Sequence, residues 1–242
     1  MSVVNIGARQ WDELRPVSFD TEVSIHAEGS CVAAMGDTRV FCTATVEETV
    51  PSFLEGRGKG WVTAEYGMLP RSTNTRMRRE RTRSAAGGRT LEISRLIGRS
   101  LRMTVDMAAL GERTITLDCD VIQADGGTRC CAINGAMVAL YTALDGLVSQ
   151  DKLSANPCTN LIGAVSVGMV EGKPVLDLDY PLDSNADADV NVVMTGDGAL
   201  VEVQGTAEKK PVGRQEFDSL LDLAGGGIAT LIKLQKEVLG IV

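Results

Sequence analysis

Ile133, Ala136, Met137, Leu140, Tyr141 and Leu144 recur at helical spacing and form the clearest apolar stripe in the chain. Strand-like runs lie on both sides of this stripe. Upstream, Thr21–His26, Ser30–Ala34 and Thr38–Glu47, the last after a Gly36-Asp37 turn, read as an antiparallel meander, with another strand at Trp61–Tyr66. Ile93, Leu96, Ile97 and Leu101 predict a first helix capped by Thr90, and Thr114–Ala124 is a strand. Downstream, strands are predicted at Ile162–Val170, Pro174–Asp179, Val190–Thr195 and Ala199–Val203. A last helix runs from about Gln215 to Leu239. Its Gly225-Gly226-Gly227 run costs roughly 2–3 kcal/mol against alanine, so either the helix breaks there or it packs closely on a sheet. This order predicts an α+β fold in which helices cover sheets. The polar stretch Leu147–Asn160, with Pro157, divides the chain into halves at 1–150 and 151–242, packed as one globular unit.

Ten arginines and no lysine fall between Arg71 and Arg102, and the only acids among them are Glu80 and Glu92. The segment nets +8, which leaves −16 for the rest of a chain whose total is −8. Such a local field, built from planar guanidinium groups, points to a polyanion. Ser72–Gly88 lacks apolar periodicity and reads as an exposed loop. Only nine of the 242 residues are Phe, Trp or Tyr, so a base-stacking platform is not expected.

Two segments echo each other. Gly87-Gly88-Arg89-Thr90 opens the first helix, and Gly126-Gly127-Thr128-Arg129 opens the helix that carries the apolar stripe. Unpaired amides and the positive helix end make an anion site at such places. Glycine allows close approach, threonine adds a hydroxyl, and arginine offers a fork matched to phosphate. Neither segment has the spacing of a nucleoside-triphosphate loop or a dinucleotide fingerprint.

The acidic counterpart is Asp177, Asp179, Asp183, Asp187 and Asp189. Clustered carboxylates suit either Mg²⁺ or a general acid of raised pKa. Asp177 and Asp179 share one strand face and read as a solvated edge, whereas Asp183, Asp187 and Asp189 fall in a turn that leads into the next strand. His26, the only histidine, sits in a predicted strand away from every charged motif, which argues against triad chemistry. The six cysteines show no C-x-x-C pair, and most of them read as small core residues. With no run of about 18 apolar residues and no signal-peptide layout, the expected setting is cytoplasmic, with no membrane partner.

Several stretches together resemble the bacterial ribonuclease PH family, phosphate-dependent 3′ exoribonucleases. They are Gly60-Trp-Val-Thr-Ala-Glu-Tyr-Gly-Met-Leu-Pro-Arg71, Gly88 to Arg102, Leu117 to Arg129, Asp189 to Thr195 and Val201 to Glu208. The resemblance implies two related β–α halves with helices packed on sheets, the ribosomal protein S5 domain 2-like arrangement. It implies a homohexamer, a trimer of dimers, that trims tRNA precursors and other RNA 3′ ends and releases nucleoside diphosphates. It assigns inorganic phosphate, the co-substrate, to Arg89, Gly127, Thr128 and Arg129. It assigns catalysis to Asp183 and Asp189, which would also hold Mg²⁺, and subunit contact or RNA binding to Arg71, Arg76 and Arg79. Asp189 then acts either as the acid for the leaving ribose oxygen or as a metal ligand. The chain departs from the family pattern at Asn74, at Cys130-Cys131 and at Lys209-Lys210. A hydrolytic metal nuclease and a non-catalytic RNA-binding ring subunit are the rival readings.

Overall fold

The computed structural model describes residues 9–79 and 87–241. Two sheets share one large core with the apolar helix between them. The first sheet holds β1 (Val17–Thr21), β2 (Gly29–Met35), β3 (Thr38–Glu47), β4 (Trp61–Met68) and β5 (Thr114–Gln123), in the order β1-β2-β3-β5-β4. β1, β2, β3 and β5 are antiparallel, and β4 runs parallel to β5 at the far edge. A parallel pair requires a crossover, and α1 (Gly88–Arg102) supplies it, followed by the short α2 (Met107–Leu110). β4 is therefore not an extension of the meander.

The second sheet holds β6 (Ile162–Val170), β7 (Lys173–Leu176), β8 (Ala188–Thr195) and β9 (Leu200–Ala207), antiparallel in the order β7-β6-β8-β9. α3 (Thr128–Ser149) packs on β2, β3 and β5 and also reaches β6. It is long and apolar enough to cross a membrane by length and composition, but most of it is buried within the protein. Its buried Asn134 donates from Nδ2 to Ala164 O (2.8 Å) and accepts at Oδ1 from Ala164 N (2.9 Å). One side-chain amide thus serves both backbone groups of a β6 residue and ties the halves together. Cys31, Cys42, Cys119, Cys130 and Cys131 are buried and unpaired, consistent with their reading as core residues.

Several sequence expectations shift. The first strand lies at Val17–Thr21 rather than Thr21–His26, because Glu22 takes a left-handed φ of 57° that ends it. His26 consequently lies in an exposed bend. α1 begins at Gly88 behind an extended Gly87, so Thr90 is inside the helix rather than its cap. The last helix, α5 (Arg214–Leu239), runs unbroken through its three glycines. An added Cβ at Gly227 would come within 2.8 Å of Leu176 Cδ1, so close packing against β7 compensates the poor helix formers.

Candidate active site

The turn that leads into α3 is built on two left-handed glycines, Gly126 (φ 74°) and Gly127 (φ 64°). Thr38 fixes it from the first sheet. Its Oγ1 donates to Gly126 O (2.6 Å) and accepts from Asp125 N (2.9 Å). Arg15 lies beneath. Its Nε donates to Asp177 Oδ2 (2.9 Å), its Nη2 to Asp177 Oδ1 (2.7 Å) and its Nη1 to Asp125 O (2.6 Å). Burial alone would lower the Arg15 pKa, and hydrogen bonding and attraction to Asp177 more than reverse that.

Asp177 is fully buried, which corrects the solvated-edge reading of Asp177 and Asp179. β7 stops at Leu176, Asp177 turns left-handed (φ 55°), and Asp179 caps the next helix by accepting from Leu182 N (2.9 Å). That helix is α4 (Tyr180–Asn185). Asp183 therefore projects from a short helix and Asp189 from β8, not from one turn. Asp187 stands apart in an ion pair with Lys210 (3.3 Å).

These elements surround a cavity of about 810 Å³ whose lining includes Arg89, Thr128, Arg129, Asp183, Asp189 and Glu208. The two glycine-threonine-arginine segments thus converge, with Gly127 also at the wall. Gly127 caps α3 and offers no side-chain acceptor to the amides of the first turn. The Tyr66 hydroxyl donates to Thr128 Oγ1 (2.9 Å), tying the end of β4 to the start of α3. Burial raises the Asp183 pKa, with Arg89 and Arg129 opposing it and Glu208 adding to it. Burial, then Asp183 and Glu208, raise that of Asp189, with Arg129 opposing. One wall of the cavity is cationic and the other favours a retained proton.

Of residues 71–79, Thr73 and Met77 line the cavity. Arg71, Arg76 and Arg79 are exposed outside it, and Arg81 and Arg83 lie outside the described residues. Arg71 Nη1 reaches Asn74 O at 3.4 Å, so Asn74 contributes its backbone there. Cys130 Sγ donates to Asn191 Oδ1 (3.3 Å), and α3 remains continuous through the cysteine pair. Lys209 lines the cavity and donates from Nζ to Asn185 O.

Sequence reasoning missed Arg15, Tyr66, Glu92, Gln204 and Glu208. Glu92 was visible as an acid one helical turn after Arg89, and Gln204 and Glu208 fall within the matched Val201–Glu208 stretch.

A model of the 3′ exoribonuclease family, domain 1, matches residues 13–144, and domain 2 matches residues 160–227. The chain belongs to the 3′ exoribonuclease family. Solved structures share this family's two-part α+β fold. Rice (Oryza sativa) Rrp46 superposes with a TM-score of 0.77 at 18% identity, covering 96% of this chain and 98% of that one. A chain of the Archaeoglobus fulgidus exosome with RNA bound to its active site gives 0.78 at 21% identity, covering 93% and 90%. An archaeal exosome core chain gives 0.72 at 20% identity, covering 95% and 88%.

Proposed function

We propose that this member of the 3′ exoribonuclease family is a phosphorolytic enzyme of the ribonuclease PH type, a phosphate-dependent tRNA nucleotidyltransferase. Its substrates are the 3′ ends of tRNA precursors and other RNAs, and its products are nucleoside diphosphates. In reverse it adds nucleotides. The observation that carries this reading is the meeting of Arg89, Arg129 and the α3 N-terminus with Asp183 and Asp189 in one cavity.

Phosphorolysis must bring one anion against another. Unit charges about 4 Å apart repel by roughly 1 kcal/mol in water and about 4 kcal/mol at an effective dielectric near 20. Arg89, Arg129 and the helix amides offset this repulsion and hold phosphate for in-line attack. A phosphate oxygen bonds to the terminal phosphorus while the bond from that phosphorus to the preceding ribose 3′-oxygen breaks. The raised pKa of Asp189 suits it to give that oxygen its proton, and Asp183, facing both arginines, sets the geometry between the two walls.

Mg²⁺ is compatible with the same pair. It takes one or two carboxylates together with substrate phosphates, and Asp183 and Asp189 lie within electrostatic reach of each other. Among the described residues no group of three or more His, Cys, Asp or Glu could hold a metal, so such an ion would be shared with substrate. When bound, it would neutralise charge developing at the leaving oxygen.

The ribonuclease PH resemblance gives a homohexamer with Arg71, Arg76 and Arg79 at subunit contacts or on RNA, and the exosome chains among the structural neighbours support ring assembly. They also favour a second reading, a non-catalytic RNA-binding ring subunit. The complete set of two arginines and two aspartates in the cavity weighs against it.

One experiment separates the readings: incubation with a 3′-extended RNA, with and without phosphate, followed by identification of the released nucleotide. Diphosphates that appear only with phosphate support phosphorolysis. Monophosphates without phosphate indicate hydrolysis, and RNA binding without release indicates the ring subunit.

A further inference from the structure

A guanidinium carries five N–H donors, two of them on Nη1. In Arg129 both Nη1 partners are protein groups: Glu92 Oε1 at 3.3 Å and Gln204 Oε1. Gln204 Nε2 then donates to Glu92 Oε1 (2.9 Å) and closes a three-membered network. Among the described residues, what remains for a ligand is the Nε–H and the two Nη2 hydrogens, the edge that presents two parallel donors to a phosphate. We propose that Glu92 and Gln204 are positioning residues that hold the Arg129 guanidinium by Nη1 and so reserve its Nε/Nη2 edge for the attacking phosphate. This proposal rests on the phosphorolytic reading.

The network also joins parts of the site that lie far apart in sequence. Glu92 lies on α1, three residues after Arg89, and Gln204 lies on β9 opposite Asn191, two residues beyond Asp189 on β8. Holding Arg129 to both sets the distance between the anion-binding wall and the carboxylate wall. The same two elements carry a separate ion pair one strand alternation away, Arg99 to Glu202 at 2.9 Å, which does not involve Arg129.

Glu92 could instead act through its charge, and the two roles predict opposite signs. A carboxylate beside an anion site repels phosphate, so its removal would tighten phosphate binding. Glu92 is 41% exposed, so water screens that repulsion, and orientation is the larger effect. Removal of the clamp then weakens phosphate binding.

The test is the initial rate of nucleotide release from a 3′-extended RNA as a function of inorganic phosphate, for wild type, Glu92→Ala, Glu92→Gln, Gln204→Ala and Glu202→Gln. Thermal unfolding of each variant verifies that it folds. Glu92→Ala and Gln204→Ala should each raise the phosphate KM on the order of tenfold, as expected for loss of hydrogen bonds to a charged group, with little change in kcat. Glu92→Gln keeps an acceptor oxygen without the charge and should recover most of the loss. Glu202→Gln breaks the neighbouring ion pair and should leave KM at the wild-type value. An unchanged or lowered KM in Glu92→Ala, with phosphate-dependent wild type, overturns the clamp alone. Wild type that ignores phosphate overturns the proposed function and the clamp with it.

Discussion

Arg15 and Asp177, 162 residues apart in sequence, meet in a buried ion pair 2.7 Å long directly beneath the Gly126-Gly127 turn. Asp177 accepts three hydrogen bonds from Arg15, one of them from its backbone amide (2.9 Å), and Arg15 also holds Asp125 O. The pair fixes the floor of the Gly126-Gly127 turn by joining Arg15 to the second half of the chain.

Breaking that pair from one side leaves a buried charge without a partner. Arg15→Ala and Asp177→Ala should each cost about 3–5 kcal/mol, measured by urea unfolding. Replacing both by apolar residues of similar size should cost markedly less, because neither charge is then stranded. A double replacement as damaging as the sum of the singles would contradict this account.

Gly126→Ala should be worse than Gly127→Ala. Both add a Cβ at positive φ, but at Gly126 it would come within 2.5 Å of Leu178 O, a backbone atom that cannot swing aside. At Gly127 the nearest atom is Arg15 Nη2, at 3.1 Å. The left-handed conformation alone costs roughly 1–2 kcal/mol for a residue with a Cβ, so the difference between the two variants isolates the clash. Comparative thermal unfolding measures it.

Asn134→Leu should destabilise by about 2–4 kcal/mol, since it strands both the N–H and the C=O of Ala164 inside the core. Denaturant unfolding checks the size. A change below about 0.5 kcal/mol would mean that this link between the halves is dispensable.

Arg129→Ala should raise the phosphate KM by roughly thirtyfold or more, the equivalent of about 2 kcal/mol for a charge-assisted bidentate contact. Arg76→Ala, outside the cavity, should instead weaken RNA binding and reduce its salt slope by about one unit. Phosphate titrations and RNA binding at several salt concentrations distinguish the two arginines.

Asp189 has a pKa raised above the ordinary 3.8 by burial and by Asp183 and Glu208. Between the unfolded and folded values the native state binds the extra proton, so stability falls as pH rises through that window and stays reduced above it. Asp189→Asn should therefore lose catalysis yet gain thermal stability at neutral pH, with the gain vanishing below the ordinary carboxylate value. A melting temperature that rises equally at all pH values would show that the gain has another origin.

Features set by near neighbours were legible without the structure. The Ile133–Leu144 stripe, the strands at Thr38–Glu47 and Ile162–Val170, and the two glycine-threonine-arginine segments depend on periodicity and local backbone preference, which act over a few residues. The same local reasoning failed at Thr21–His26, where Val23 and Ile25 alternate like a strand but Ile25 is 93% exposed. It failed again at Asp177, whose spacing from Asp179 mimics a solvated strand edge.

The amino-acid order alone determined which glycine-led segments open the two helices, where the aspartates cluster, and that both belong to an α+β chain with a strongly basic segment. Only the tertiary structure decided that Arg89 and Arg129 face Asp183 and Asp189, that Asp177 is structural, and that Glu92 and Gln204 take the Nη1 side of Arg129. The physical reason is range. Helix and strand patterns follow from steric and hydrogen-bonding preferences between near neighbours, whereas these ion pairs join residues 37 to 162 positions apart and exist only once the sheets and α3 have closed the loops between them.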